Sequence, residues 1–198
     1  MVTSIILAGG RSRRMGKCKA LQTICGKSLI ERVTERLTPL SSQILIVTSQ
    51  QQPELPVSCE VEVVVDIYPA KGPLGGIYTG LMASESPYSI VVACDMPFLN
   101  IELLRYMVEL CQDFDAVVPR LGEGKIEPLH AIYSKTCLST LKTELECNHL
   151  RVDRVLNNLN IRYIELAESR RFDPQLLSFF NSNFPSDLKR AANIATEE

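Results

Sequence analysis

The segment LAGGRSRRMGKCKAL, residues 7–21, concentrates the chemistry of this chain near its amino terminus. Gly9 and Gly10 let the backbone turn tightly and expose N–H groups without obstructing side chains. Successive N–H groups of that kind form a concavity that suits an anion. Arg11, Arg13, Arg14, Lys17 and Lys19 add five cations within nine residues. Crowding of this density calls for a polyanion, and a triphosphate is a natural one. Lysine offers it a point charge and arginine a planar fork. A solvent-exposed basic turn is the competing reading. The spacing is neither GxxxxGK[ST] nor GxGxxG, so neither a P-loop nor a dinucleotide fingerprint is present.

Two aspartates follow predicted strands. Asp95 lies in VVACDMPFL, directly after an apolar run. A carboxylate there is costly to desolvate without a partner. Mg²⁺, a hard cation, takes one or two carboxylates together with phosphate oxygens. The competing reading of Asp95 is a cap for the helix that follows, but Asn100 stands nearer that helix and suits the cap better. Asp66 follows Val61–Val65 and precedes Tyr68-Pro69, where it reads as a turn residue. Gly75 and Gly76 stand near a helix start, where small residues allow close approach to a sheet or a ligand. Lys71 beside them adds charge.

These residues need elements to hold them. Strands are predicted at Val2–Leu7, Ile44–Val47, Val61–Val65, Ser89–Ala93, Ala116–Val118, Leu129–Tyr133 and Ile161–Ile164, from short β-branched runs. Helices are predicted at Ser28–Leu37 with Ser28 as cap, Leu74–Ala83, Ile101–Cys111, Thr136–Glu146 and Val152–Leu159. A last helix opens at Pro185. Strand–helix alternation implies an α/β fold: three layers, α/β/α, around a Rossmann-like, doubly wound, mostly parallel sheet. Ligands of such sheets sit beyond the carboxyl ends of the strands. The Gly9 loop, Asp66 and Asp95 all fall there.

Composition excludes several classes. The chain has 198 residues, 45% hydrophobic and 22% charged, with a net charge of −2. That fits one domain over residues 1–198 and gives no general attraction to nucleic acid or anionic membranes. Trp is absent and aromatics are 6%, so no strand interleaves aromatics with basic residues to stack bases. No apolar run spans a bilayer, and the start lacks the marks of a signal peptide. Seven scattered cysteines without a CxxC pair read as reduced thiols, mostly core residues, in a cytoplasmic protein. The GxSxG elbow of serine hydrolases is missing.

LAGGxSxRMGxxK resembles the signature of nucleotidyltransferases that activate sugars and cofactors. CDMPFL, GPLGG and the ending FNSNFPSDL narrow the resemblance to the molybdenum cofactor guanylyltransferases, of the molybdopterin-guanine dinucleotide family. The resemblance covers nearly the whole chain. It implies transfer of GMP from Mg-GTP to Mo-molybdopterin with release of pyrophosphate. It assigns Leu7, Ala8 and Gly9 to the guanine nucleotide, Arg14 and Lys19 to the phosphates, Asp66 to the nucleotide and Asp95 to Mg²⁺. Thr48 and Ser49 fall where relatives often carry a base-contacting polar residue. Gly75, Asn181 and Asn183 are secondary candidates, since an asparagine carbonyl oxygen suits a hard cation. Cys18 stands where the family commonly has Asp, and Phe184 where it has Thr. GTP and Mo-molybdopterin are the implied partners, with transient contacts to other molybdenum cofactor proteins.

The second half is plainer. Arg120–Lys125 reads as a mobile loop. His130 alternates with apolar neighbours and reads as a satisfied core histidine rather than a catalytic one. His149 reads as a loop residue. Arg151 and Arg154 could form one basic stripe for an anionic acceptor or a solvated face. Two other readings remain open: a related transferase of different specificity, for cytidylyl transfer or for a sugar phosphate, and a non-catalytic nucleotide- or cofactor-binding adaptor.

Overall fold

The computed structural model describes residues 1–9, 19–49, 55 and 57–196. Arg14 and the rest of residues 10–18 lie outside them, so the assignment of Arg14 to the phosphates has no structural counterpart here.

The chain runs β1 (Val2–Leu7), β2 (Thr23–Ile24), β3 (Lys27–Ser28), α1 (Leu29–Leu37), β4 (Ser41–Thr48), β5 (Glu62–Val65), α2 (Gly72–Ala83), β6 (Tyr88–Ala93) and α3 (Ile101–Glu109). It continues through β7 (Ala116–Arg120), β8 (His130–Ser134), α4 (Leu138–Glu146), α5 (Val152–Leu156), β9 (Ile161–Glu165), α6 (Leu166–Phe172) and α7 (Pro185–Ala195). Seven strands form one sheet in the order β5-β4-β1-β6-β8-β7-β9. All neighbours are parallel except β8, which runs antiparallel to both β6 and β7. The expected three-layer, mostly parallel α/β fold is therefore present.

The sequence explains the order. Every residue of β1 is buried, as a central parallel strand covered on both faces requires. Ile6, Ile46, Val92, Val117 and Ile132 face α1 and α3. Ile5, Leu45, Val91, Val118 and Tyr133 face α2, α4 and α5. Alternate residues of one strand thus serve two cores. Leu29, Ile30, Val33 and Leu37 are fully buried on α1, each worth about 1.5–3 kcal/mol of transfer. Ser28 caps α1 and completes a capping box with Glu31. Asn100 caps α3, accepting from the Leu103 N–H at 2.9 Å, which leaves Asp95 free of that duty.

Gly80 lies in α2 where the helix crosses β1. A Cβ there would overlap the Ile5 side chain, so glycine sets the spacing between helix and sheet.

Several features differ from the sequence reading. The β2–β3 hairpin and α6 were not foreseen. The hairpin turns at Cys25 and Gly26, both at positive φ, a two-residue turn that fits the twist of paired strands. Its strands have two residues each, too few for periodicity to register. The helix predicted over Val152–Leu159 ends at Leu156 and continues as turns. Residues 121–125 fold back tightly, with Leu121 N–H donating to Lys125 C=O at 2.6 Å and an Arg120–Ile126 bridge closing the turn. Among the six described cysteines, Cys94, Cys111 and Cys137 are buried while Cys25 and Cys147 are exposed, so fewer are core residues than expected. Among the described residues no helix is long and apolar enough to cross a membrane.

Candidate active site

The carboxyl ends of β1, β4, β5, β6 and β7 share one edge of the sheet. Backbone bonds continue past the strand ends and hold that edge in register. Ala8 N–H donates to Val47 C=O at 2.9 Å, Cys94 N–H to Leu7 C=O at 3.2 Å, and Asp66 N–H to Thr48 C=O at 2.7 Å. The residues foreseen as functional therefore leave the sheet from fixed points.

Lys19 re-enters from the glycine-rich loop in a short 3₁₀ turn. Its ammonium forms an ion pair with Asp95 Oδ2 and donates to Asn183 Oδ1 at 2.7 Å. Asp95 is buried, at 8% exposure, and its backbone carbonyl accepts from the Ser182 N–H at 2.9 Å. Three segments far apart in sequence thus meet at one ammonium: the loop after β1, the turn after β6 and the strand-like run before α7. The cation removes the cost of a buried carboxylate.

The run from Asp173 to Asn183 is a strap tied to the edge. Asp173 accepts from the N–H groups of Leu177 and Ser178 at 3.1 and 2.7 Å. Ser178 Oγ accepts from the Asn100 N–H at 2.9 Å. Asp187 accepts from the N–H groups of Asn183 and Phe184 at 2.9 and 2.8 Å, capping α7. These bonds deliver Asn183 to Lys19. Asn181 turns away, its Nδ2 donating to Phe179 C=O at 3.2 Å. The structure separates the two asparagines that sequence left equivalent.

Asp66 stands beyond β5, three strands from β6. At the usual strand spacing that is roughly 14 Å from Asp95, so the two aspartates flank the β1 loop rather than share a ligand set. Asp66 Oδ1 accepts from Tyr68 N–H and Thr79 Oγ1, both at 2.9 Å. The turn role and a free Oδ2 coexist. Gly75 keeps this corner open: a Cβ there would come within 2.9 Å of Tyr68 O and 3.2 Å of Asp66 Oδ2. Gly9 lies against the Ser49 backbone, and Leu7 and Ala8 are buried at the end of β1. Lys71 donates to Asn148 Oδ1 at 2.7 Å, linking the start of α2 to the turn before α5.

His130 corrects the sequence reading. It is fully buried in β8 as expected, but among the described residues both ring nitrogens lack a hydrogen-bond partner. It packs edge-on against Phe179 of the strap, with centroids 4.9 Å apart. Burial pulls its pKa down to about 4, opposed by its own backbone and by the charge of Asp173, so the ring is neutral at pH 7. His149 pairs with Glu144 at 3.0 Å. Arg151 is forked onto Asp153, and Arg154 stands 4.0 Å from Glu144; both are paired with carboxylates rather than forming an open basic stripe.

Glu127 escaped the sequence reading. Its carboxyl is raised above the usual range by burial, with Lys125 opposing and the charge of Asp95 adding to the rise. It lies beyond β8 on the same edge, its N–H donating to Pro119 C=O at 3.0 Å. The only signal in the sequence was its place ahead of an apolar strand, which does not reveal a neighbouring carboxylate.

Residues 4–161 match the model of the MobA-like NTP transferase domain. The chain belongs to this family. As a MobA-like NTP transferase it is 38% identical to the probable molybdenum cofactor guanylyltransferase of Peptoclostridium acidaminophilum, over 99% of this chain and 90% of that protein. It is 35% identical to the molybdenum cofactor guanylyltransferase of Desulfosudis oleivorans, over 96% and 94%. Among solved structures it is similar to molybdopterin-guanine dinucleotide biosynthesis protein A of Archaeoglobus fulgidus, with a TM-score of 0.85, 32% identity and coverage of 99% and 100%. This MobA-like chain is therefore a nucleotidyltransferase, and the edge bearing Lys19 and Asp95 is where its fold places a ligand.

Proposed function

We propose that the chain transfers GMP from GTP to the phosphate of Mo-molybdopterin. The observation that carries this reading is the meeting of Lys19, Asp95 and Asn183 at the mouth of the glycine-rich loop, within a full-length likeness to proteins named for that activity. A phosphate oxygen of the acceptor attacks the α-phosphorus, the new P–O bond forms, and the bond to the β-phosphate oxygen breaks as pyrophosphate leaves. No side chain has to serve as nucleophile. The protein contributes position and charge.

The residues fit a hard divalent cation. Asp95 and Asn183 place a carboxylate and a carbonyl oxygen about one ammonium, and oxygens around a cation are what Mg²⁺ selects. Asp95 and Asn183 would hold it, and it would offset charge on the triphosphate. Lys19 meets the phosphates, joined by Arg14 from the loop. Leu7, Ala8 and Gly9 line the nucleotide, and Asp66 receives it on the β5 side with Gly75 leaving room. A reducing, cytoplasmic setting goes with this reading, since seven scattered cysteines without a CxxC pair do not form a disulfide framework.

The test is GTP-dependent pyrophosphate release in the presence of Mo-molybdopterin. Wild-type protein releases pyrophosphate, and Asp95→Ala lowers the rate by at least about 10²-fold, the scale of losing a preorganised charge contact. Full activity of Asp95→Ala removes the cation assignment. Absence of release by folded wild-type protein removes the transfer itself.

A further inference from the structure

A cavity of about 530 Å³ opens on the same sheet edge, away from the glycine-rich loop, lined by Arg120, Gly124, Ile126, Asp153, Asn157 and Tyr163. Its size suits a small organic group. Arg120 ends β7 and Tyr163 lies midway along the neighbouring β9, and the Arg120 guanidinium lies 3.8 Å from the centre of the Tyr163 ring. Glu165 fixes Arg120 from the side at 3.1 Å. The result is a preformed flat surface of the kind on which a heteroaromatic ring stacks.

The opposite wall is polar. Asp153 and Asn157 stand four apart on α5 and its cap, so they share one helix face. Asp153 accepts the two-pronged fork of Arg151 at 3.1 and 2.6 Å, yet a carboxylate has about four acceptor positions. Arg151 itself is 82% exposed, so that surface pair resists a competing donor weakly. The Asn157 carboxamide has no hydrogen-bond partner among the described residues, leaving a donor and an acceptor for a ligand.

We propose that this cavity is the ring pocket of the acceptor, taking a flat heterocycle with a 2-amino-4-oxopyrimidine edge, such as a pterin, between the Arg120–Tyr163 surface and the Asp153–Asn157 wall. Two neighbouring N–H donors of that edge suit a carboxylate, and its oxo group suits an amide N–H. The assignment rests on the transfer reading above. Guanine carries the same edge, but the pocket belongs to the other substrate on geometric grounds. In-line displacement brings donor and acceptor to the α-phosphorus from opposite sides. Asp66 and the β1 loop occupy one side of Lys19 and Asp95, while β8, β7 and β9 occupy the other. Ile126 of the cavity is followed by Glu127, whose N–H donates to Pro119 C=O at 3.0 Å, so the cavity lies on the β8–β7 side of Asp95.

The experiment is fluorescence anisotropy of pterin-6-carboxylate with the full chain and no nucleotide, alongside calorimetry of GTP. Wild-type protein binds the pterin saturably, and guanosine does not displace it. Asn157→Ala and Asp153→Asn each weaken pterin binding about tenfold while GTP affinity stays within about twofold; a tenfold change is about 1.4 kcal/mol. Both positions are on the surface, and matching melting curves identify folded variants. Unchanged pterin affinity in both variants, or no saturation up to millimolar pterin, overturns the pocket. Displacement by guanosine, or a parallel loss of GTP affinity, overturns it in favour of a guanine subsite. GTP calorimetry judges the guanylyl reading separately, since the pterin arm contains no nucleotide.

Discussion

A lysine ammonium shared between a buried carboxylate and a carboxamide oxygen is a charge arrangement completed by an anion. Lys19 balances Asp95 and Asn183, and a triphosphate with its cation would redistribute that balance rather than create it. Its side chain is 27% exposed, so truncation removes charge more than packing. Lys19→Ala is expected to weaken GTP binding by tenfold or more in calorimetry, and to lower the melting temperature because Asp95 is left buried without its cation. A variant that binds GTP normally contradicts the phosphate role. His130 gives the residue-scale pH prediction. Its folded pKa of about 4 lies below the ordinary 6.5. Above pH 6.5 the ring is neutral in both states and stability is unaffected. As pH falls from 6.5 to 4 the unfolded chain takes up the proton first, and stability drops by up to about 3 kcal/mol. Urea unfolding at pH 7 and pH 4.5 should show a smaller loss for His130→Leu than for wild type, and identical pH slopes would place the effect elsewhere. At this scale Lys19, Asp95 and Asn183 were legible because each departs from its surroundings: a cation in a glycine loop, a charge after an apolar strand, an amide ahead of a proline-led helix. The missing partners of His130 were not legible, because alternation reports burial and says nothing of hydrogen bonds.

Elements decide how accurately those residues meet. α2 lies on β1 at the distance allowed by Gly80, where any side chain would overlap Ile5. Gly80→Ala is expected to destabilise the protein by about 1–3 kcal/mol through overpacking, measured by thermal or urea unfolding. Pairing it with Ile5→Ala should cost less than the two single changes summed, because the new methyl then fills vacated space; strict additivity would argue against the contact. The long amphipathic helices and apolar strands were readable because burial imposes a period on them. The hairpin at Cys25-Gly26 was not, since two-residue strands carry no period. The strap was half-readable: its asparagines stood out, but Ser178, Asp173 and Ser182 hold it by backbone bonds that follow from tertiary approach alone.

On the scale of the whole molecule, the sheet order separates two jobs. On the proposed reading β5, β4 and β1 carry the nucleotide-facing edge; β6 carries Asp95, and β8, β7 and β9 carry the cavity with Arg120 and Tyr163. The antiparallel strand of the seven-stranded sheet, β8, passes between the halves, and Glu127 precedes it on the edge that carries Asp95. The three-layer class was legible from the alternation of elements, but the reversal of β8 was not, because its apolar alternation is the same in either direction. Base choice rests on contacts at this scale, between the loop, the end of β4 and the corner at Asp66. The most direct measurement of the account is a competition: protein, Mo-molybdopterin and Mg²⁺ with equal GTP, CTP and ATP, and the dinucleotide products resolved by mass spectrometry. The account predicts the guanine dinucleotide in excess of at least about tenfold, with pyrophosphate formed in equal amount. Cytosine dinucleotide as the main product, or no dinucleotide from folded protein, would contradict it.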